Sequence, residues 1–333
     1  MTRTLSIVLP LFDAALFLPR VLPPLLAAVE RGEALEILVV DDGSTDDGPE
    51  ICRRQGLAVL ASGGRLGPGA ARNVGARAAR GDVLLFVDSD VVLRPDVPRR
   101  ALEALARRAG SVAVFGSYDD RPRARGVVSR YVNLRHHWVH QQGTEDAVTF
   151  WAGCGAVERG AFLAAGGFDG ARYRRPSIED IELGARLLAN GGRIVLDKGM
   201  LCTHLKRWTF RSMLVTDLLR RAVPWTRLIL EGRGELALNV TRAEQGKALL
   251  AVGLSLALIG GLVLPRLLGA AGVLFLCAVL ANRRFFAFLW RQEGPLGALA
   301  GVLLHQVYYH VGMLGYLLGF LAHVSRRRAA DQR

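Results

Sequence analysis

Asp82-Val83-Leu84-Leu85-Phe86-Val87-Asp88-Ser89-Asp90 is the stretch that decides the fold of this chain. Its unbroken apolar run reads as a buried strand of a parallel sheet. Two carboxylates one residue apart then fall at the carboxyl end of that strand, which is where open α/β sheets bind ligands. Oxygen ligands there suit Mg²⁺ or Mn²⁺, and a hard divalent cation can bridge a diphosphate. Asp-X-Asp alone is a common spacing, so its meaning depends on its surroundings.

Upstream, Leu5-Ser6-Ile7-Val8-Leu9-Pro10 is a short β-rich run, followed by a helical pattern to about Glu30. Leu35 to Val40 is a second strand that stops at Asp41-Asp42-Gly43-Ser44. There the glycine breaks the strand, and Ser44, Thr45 or Asp46 can cap the next helix. Leu57 to Leu60 reads as a third strand and Gly69 to Ala79 as a helix. Strands alternating with helices of this length predict βαβ units and an α/β fold with a mostly parallel sheet. Gly67-Pro68-Gly69 looks like the start of a dinucleotide fingerprint. Its third glycine is missing and it follows the third strand, which argues against a dehydrogenase. Beyond Asp90 the order is less regular: Phe150 to Gly155 reads as a strand entering a Gly-rich turn, and Ile178 to Asn190 as a helix closed by Gly191-Gly192.

The chain has 333 residues and a net charge of +13, carried almost wholly by arginine. Nucleic acid is the reflex partner for such a balance. The arginines do not interleave with aromatics on one stripe, and the C-terminal region is hydrophobic, so an anionic membrane surface fits better and no nucleic-acid partner is expected. Cys52, Cys154, Cys202 and Cys277 lack metal-ligand spacing. With no readable secretory leader, they suit a reducing, cytosolic catalytic domain.

Organisation follows from composition. Residues 1–231 read as the soluble α/β domain, 208–231 within it as an interfacial helix or an ordinary helix packed on the domain, and 232–247 as a linker. Residues 248–324 read as a membrane region of two or three helices: Ala248 to Leu264, Leu267 to Leu280 and Leu296 to Val324, with 325–333 a basic tail. The positive-inside rule does not choose between two and three crossings. His305, Gln306 and His310 lie inside the third stretch and face either lipid headgroups or a neighbouring helix.

Taken in order, Ser6 to Pro10, Val39 to Asp46, Ala71-Arg72-Asn73-Val74-Gly75, Gly81-Asp82, Asp88-Ser89-Asp90, Gly166-Gly167-Phe168-Asp169 and Glu179-Asp180 resemble family 2 glycosyltransferases. The resemblance covers roughly residues 4–210. It implies a GT-A-type nucleotide-sugar-binding domain followed by C-terminal transmembrane helices, a UDP- or GDP-sugar donor, and inversion at the anomeric carbon. It implies Mg²⁺ or Mn²⁺ held by Asp90 and Asp88, with Asp88 at the ribose or the metal. Asp41 or Asp42 would hold the nucleotide base, Arg72 would lie near the nucleotide or its phosphates, and Pro10 counts with the donor-binding positions. Asp180 would be the general base, with Glu179 beside it as a catalytic partner. A carboxylate is needed there because an acceptor hydroxyl is too weak an acid to attack unaided. His204 matches a histidine that completes metal coordination in some GT-A enzymes, or it is a structural histidine.

Two departures narrow the activity. Processive synthases of the cellulose type carry Gln-X-X-Arg-Trp, whereas this chain has His204-Leu205-Lys206-Arg207-Trp208. Polyprenyl-phosphate transferases typically lack the Glu-Asp pair, because an acceptor phosphate needs no base. The expected activity is transfer of one sugar to a hydroxyl of a membrane lipid or lipid-linked glycan. The expected location is the bacterial inner membrane, multi-pass, with the catalytic domain in the cytoplasm. A polyprenyl-phosphate transferase, a non-catalytic nucleotide-sugar-binding membrane module and a nucleotidyltransferase stay open as alternatives.

Overall fold

The computed structural model describes residues 3–234 and 238–331. The opening strand β1, Leu5–Leu11, is buried along its whole length. It pairs in parallel with β2 (Glu36–Asp41) on one side and with β4 (Val83–Val87) on the other, and β2 pairs in parallel with β3 (Val59–Ala61). The connecting helices are α1 (Leu18–Glu30), α2 (Gly48–Arg54) and α3 (Pro68–Ala78). Strand residues alternate between two cores. Ile7, Leu9, Leu85 and Val87 face one side with Val21 and Leu25 of α1, while Val8, Leu84 and Phe86 face the other with Phe162 and Phe168. Covering both faces explains the unbroken apolar run at 83–87, and each such side chain contributes about 1.5–3 kcal/mol.

Beyond Asp90 the sheet becomes mixed. The strands β5 (Val91–Leu93), β6 (Ser111–Tyr118), β7 (Asp146–Ala147), β8 (Cys154–Glu158) and β9 (Arg193–His204) complete it in the order β3-β2-β1-β4-β8-β6-β9-β5, with β7 beside β9. β8 lies antiparallel between β4 and β6, and of the later pairings only β6 with β9 is parallel. The remaining helices of this part are α4 (Val97–Arg107), α5 (Val127–Gln142), α6 (Arg159–Ala164) and α7 (Glu179–Ala189). One expectation reverses: Phe150 to Gly153 is not strand, and β8 begins at Cys154. The Trp151 ring folds back over Gly153, within 2.5 Å of where a Cβ would stand, so the aromatic pair plugs the core ahead of the strand. Asp46 meets the expectation of a cap in part: its Oδ1 accepts from Gly48 N at 3.0 Å, and its Oδ2 accepts from Ala15 N.

The run read as an interfacial helix or an ordinary packed helix is α8 (Phe210–Val215), a π-helical segment (Thr216–Ala222) and α9 (Val223–Leu230) in sequence. α10 (Arg242–Gly261) begins inside the stretch read as linker, capped by Thr241, and packs on α11 (Leu267–Ala281) as a hairpin. Residues 235–237 of that linker lie outside the described residues. So do Met1, Thr2 and, of the basic tail, residues 332–333 and the side chains of 328–331. α12 (Arg283–Asp331) turns sharply at Gly294 (φ +69°), where Pro295 follows. Its two limbs fold against each other, bringing Phe285 to 4.8 Å from His305 and Leu289 against Gly301. Farther on, Gly315 and Gly319 pack on Ala222 and Thr226.

By length and composition α10 and α12 are long and apolar enough to cross a membrane, while α11 is shorter. Leu256, Ile259, Phe275, Leu299, Leu303 and Leu317 are exposed along these helices, more apolar surface than a water-facing protein ordinarily carries. His305 does not face outward: its Nδ1 lies 2.8 Å from the Tyr131 hydroxyl, and His310 Nδ1 bonds the Gln306 carbonyl within the helix.

Candidate active site

Pairing between β1 and β4 stops at Val8–Phe86, whereas β1 continues beside β2 to Leu11. The crevice therefore opens at the carboxyl ends of β1, β2 and β4, the switch point of the sheet. Pro10 is buried in its wall just beyond the end of the β4 ladder, where its missing N–H breaks no bond to β4. Asp41, Asp42, Asp88 and Asp90 arrive on the turns that leave these strands.

The two base-binding candidates do different work. Asp42, 6% exposed, accepts from Ser62 Oγ (2.6 Å), Leu66 N (3.0 Å) and Gly67 N (2.8 Å). It pins the 62–67 loop. Gly67, at φ +94°, lets that loop close on the 174 peptide, since a Cβ there would stand 2.6 Å from the Arg174 carbonyl oxygen. Asp41 accepts only Ser44 N, at 3.0 Å on Oδ1, among the described residues, and is the carboxylate left to face a ligand.

At the second turn, β5 pairs antiparallel with β9 so that Val91 opposes His204. This register brings His204 Nε2 to 3.4 Å from Asp90 Oδ2. The ring stacks on Tyr118 at 4.6 Å, and its Nδ1 lies 2.8 Å from Asn133 Oδ1 on α5. Nε2 and the Asp90 carboxylate oxygen thus face each other, an arrangement that a cation shared between them would favour. Burial would raise the Asp90 carboxyl, but His204 and then Lys206 outweigh it and hold it below the usual carboxylate range. A carboxylate oxygen and an imidazole nitrogen oriented by a side-chain amide fit Mn²⁺ or Mg²⁺. Among the described residues no group of three or more His, Cys, Asp or Glu side chains gathers to hold a metal, so the remaining ligands would come from phosphate oxygens and water.

Arg72 is not at the crevice surface. It is 4% exposed, with Nη2 donating to Asp88 Oδ1 at 2.5 Å and Nη1 to Glu179 Oε1 at 3.2 Å. Arg72 thus ties the Asp88 turn to the start of α7 and takes up one oxygen of Asp88. Glu179 is spent as well: Oε1 faces Arg72 and Oε2 accepts from Ser177 N at 2.8 Å. That leaves Asp180. Its Oδ2 accepts from Ala152 N (3.1 Å) and its Oδ1 from Ile181 N (2.9 Å). Burial first and the neighbouring Glu179 second push its carboxyl up to about 7, against Arg72 and the two N–H groups. A carboxylate poised there is matched to taking a proton near neutral pH.

Asn133 and Tyr118, which hold His204, carried no signal in the sequence, since Asn133 is 71 residues away from the ring it orients. Asp13 was also missed. It stands at φ +45° just past β1 and accepts Thr45 N at 2.7 Å, clamping the first two crevice turns together. Its place at a strand's carboxyl end was the available clue.

Residues 6–162 match the model of Glycosyl transferase family 2. The glycosyltransferase GlyG of Streptococcus pneumoniae serotype 4 is 25% identical over 168 residues, 49% of this chain and 55% of that protein. An undecaprenyl-phosphate 4-deoxy-4-formamido-L-arabinose transferase of Pseudomonas paraeruginosa is 35% identical over 139 residues, 39% of this chain and 40% of that one. The chain thus spans about half or less of the curated relatives it matches. Among solved structures, the mannosyltransferase PcManGT of Pyrobaculum calidifontis, in complex with GDP-Man and Mn²⁺, superposes with a TM-score of 0.55 at 16% identity. The match covers 97% of this chain and 88% of that one.

Proposed function

We propose that this chain, a family 2 glycosyltransferase of the GT-A fold, moves one sugar from a nucleoside-diphosphate sugar to a hydroxyl of a membrane-associated lipid or lipid-linked glycan, with inversion. The observation that carries the reading is Asp180, the one carboxylate at the mouth of α7 not engaged by an arginine, with its carboxyl pushed up to about 7. The acceptor hydroxyl gives its proton to an Asp180 oxygen. Its oxygen then bonds the anomeric carbon from the face opposite the nucleotide, and the bond from that carbon to the diphosphate oxygen breaks. A single displacement of this kind inverts the centre.

Asp41 receives the base, and Asp42 holds the 62–67 loop that closes over the donor. Arg72 and Glu179 keep Asp88 and Asp180 at a set spacing across the crevice. Asp90 and His204 would hold a divalent ion, whose chemistry is to take up the charge developing on the leaving diphosphate. The exposed apolar helices α10 to α12 anchor the chain at a membrane, with the catalytic part in the cytoplasm where nucleotide sugars are made.

A second reading, transfer to a polyprenyl phosphate, is favoured by the relatives named undecaprenyl-phosphate transferases. One assay separates the two. Purified protein is supplied with UDP- and GDP-sugars, Mn²⁺ or Mg²⁺ and extracted lipid, and the labelled product is treated with mild acid. A glycoside of a hydroxyl survives, so the label stays on lipid or on a larger glycan, whereas a sugar phosphate gives up the label as free sugar; release of free sugar would overturn the hydroxyl assignment.

A further inference from the structure

A cavity of about 410 Å³ lies where α5 meets the ends of the α10–α11 hairpin and the start of α12. Four basic residues line it, Arg135, Lys247, Arg283 and Arg284, against a single acid, Glu244. Lys247 satisfies that acid at 2.6 Å. Arg283 and Arg284, both exposed, have no ion-pair partner among the described residues.

Two further features point to an oxyanion. Arg135 is 3% exposed; its Nη2 donates to both oxygens of Asp217, at 3.0 and 2.8 Å, and its Nη1 is buried without any hydrogen-bond partner. That guanidinium lies over the Tyr308 ring at 4.2 Å and forms part of the cavity wall. The first turn of α12 also opens here. The first bond accepted by its cap is Phe286 N to the Asn282 carbonyl, so the N–H groups of Arg283, Arg284 and Phe285 are unspent by the helix. A helix start with basic side chains is an anion site, and the apolar end of α11, Leu280 and Ala281, forms the adjoining wall.

We propose that this cavity binds a phosphate group, carried by an anionic lipid headgroup at the membrane boundary or free in solution, at a site separate from the transfer centre. The separation is set by α5. Asn133 reaches His204, while Arg135, two residues on and about 200° around the helix, lines the cavity. The placement at a membrane boundary rests on the anchoring role given to α10 and α11 above; the test reads binding and not transfer, so its failure leaves the transferase reading standing.

Trp138 also lines the cavity and reports on it. The full chain is placed in phosphatidylcholine nanodiscs containing increasing phosphatidylglycerol, and Trp138 emission is isolated by subtracting the signal of Trp138→Phe. A saturable shift is expected, and the double variant Arg283→Ala, Arg284→Ala should need about tenfold more phosphatidylglycerol for the same shift. Inorganic phosphate added to pure phosphatidylcholine discs distinguishes the sources. The same shift there assigns the site to free phosphate, and its absence alongside the phosphatidylglycerol response assigns it to lipid. No shift with either, or a shift that the double variant leaves in place, overturns the proposal. Both arginines are exposed and outside the transfer site, so loss of folding does not confuse the result.

Discussion

If Asp180 takes the acceptor proton, the acid limb of kcat/KM should fall near pH 7, where burial and Glu179 have moved its carboxyl. Only the ionised form can accept the proton, so at about pH 5.5 roughly 3% of the enzyme is competent, against about 90% at pH 8. The expected loss is about thirtyfold, whereas an aspartate at its ordinary pKa near 3.9 would lose only a few per cent. Two variants move the limb in opposite directions. Glu179→Gln removes a charge that raises the carboxyl and should shift the limb to lower pH, and Arg72→Met removes one that lowers it and should shift the limb higher. Asp180→Asn should bind donor but lose turnover.

Stability gives an independent readout of the same group. A raised carboxyl favours the fold fully below its unfolded pKa, and that contribution is lost as pH rises through about 7. Asp180→Asn should therefore match the parent in acid and exceed it at pH 8, by at most about 4 kcal/mol for a shift of roughly three units. Initial rates across pH with saturating metal, and thermal melts of both proteins, supply the data. A profile flat down to about pH 5, or full turnover by Asp180→Asn, would refute the assignment.

Four further expectations follow from the geometry. Asp90→Ala should lose metal-dependent donor binding, measured by titration calorimetry of a UDP- or GDP-sugar with and without Mn²⁺; unchanged affinity with metal would remove Asp90 as a ligand. Asp41→Ala should raise the donor KM with little change in melting temperature. Asp42→Ala should also destabilise by about 1–3 kcal/mol, because it frees the two loop N–H groups at Leu66 and Gly67. Asp217→Ala leaves the Arg135 guanidinium buried and unpaired between α5 and the π-helical segment, and should cost about 3–5 kcal/mol in denaturant unfolding.

The strand ends were legible because a strand buried on both faces must be apolar throughout, and the polar residue that ends it is conspicuous. Asp41, Asp42, Asp88 and Asp90 all stand out in that way. The alternation of strand and helix as far as Asp90 likewise made the parallel half of the sheet readable. The later strands were harder: β8 and β9 insert by pairing across long sequence distances, and Trp151 plugs the core where periodicity suggested a strand. The helical tail was visible as apolar stretches, but the Gly294 turn that folds α12 back on itself was not, since a positive φ at one glycine leaves no periodic trace.

The sequence by itself determined which residue types stand at which strand ends, because burial and backbone geometry act locally along the chain. Only the tertiary structure decided what each carboxylate does. Whether a carboxylate clamps a loop, pairs with an arginine or stays open depends on partners brought from far away: Gly67 for Asp42, Arg72 for Asp88 and Glu179, and His204 for Asp90. Those partners arrive through sheet register and helix packing. Such contacts, and the desolvation that lifts Asp180, exist only once the chain has closed around them.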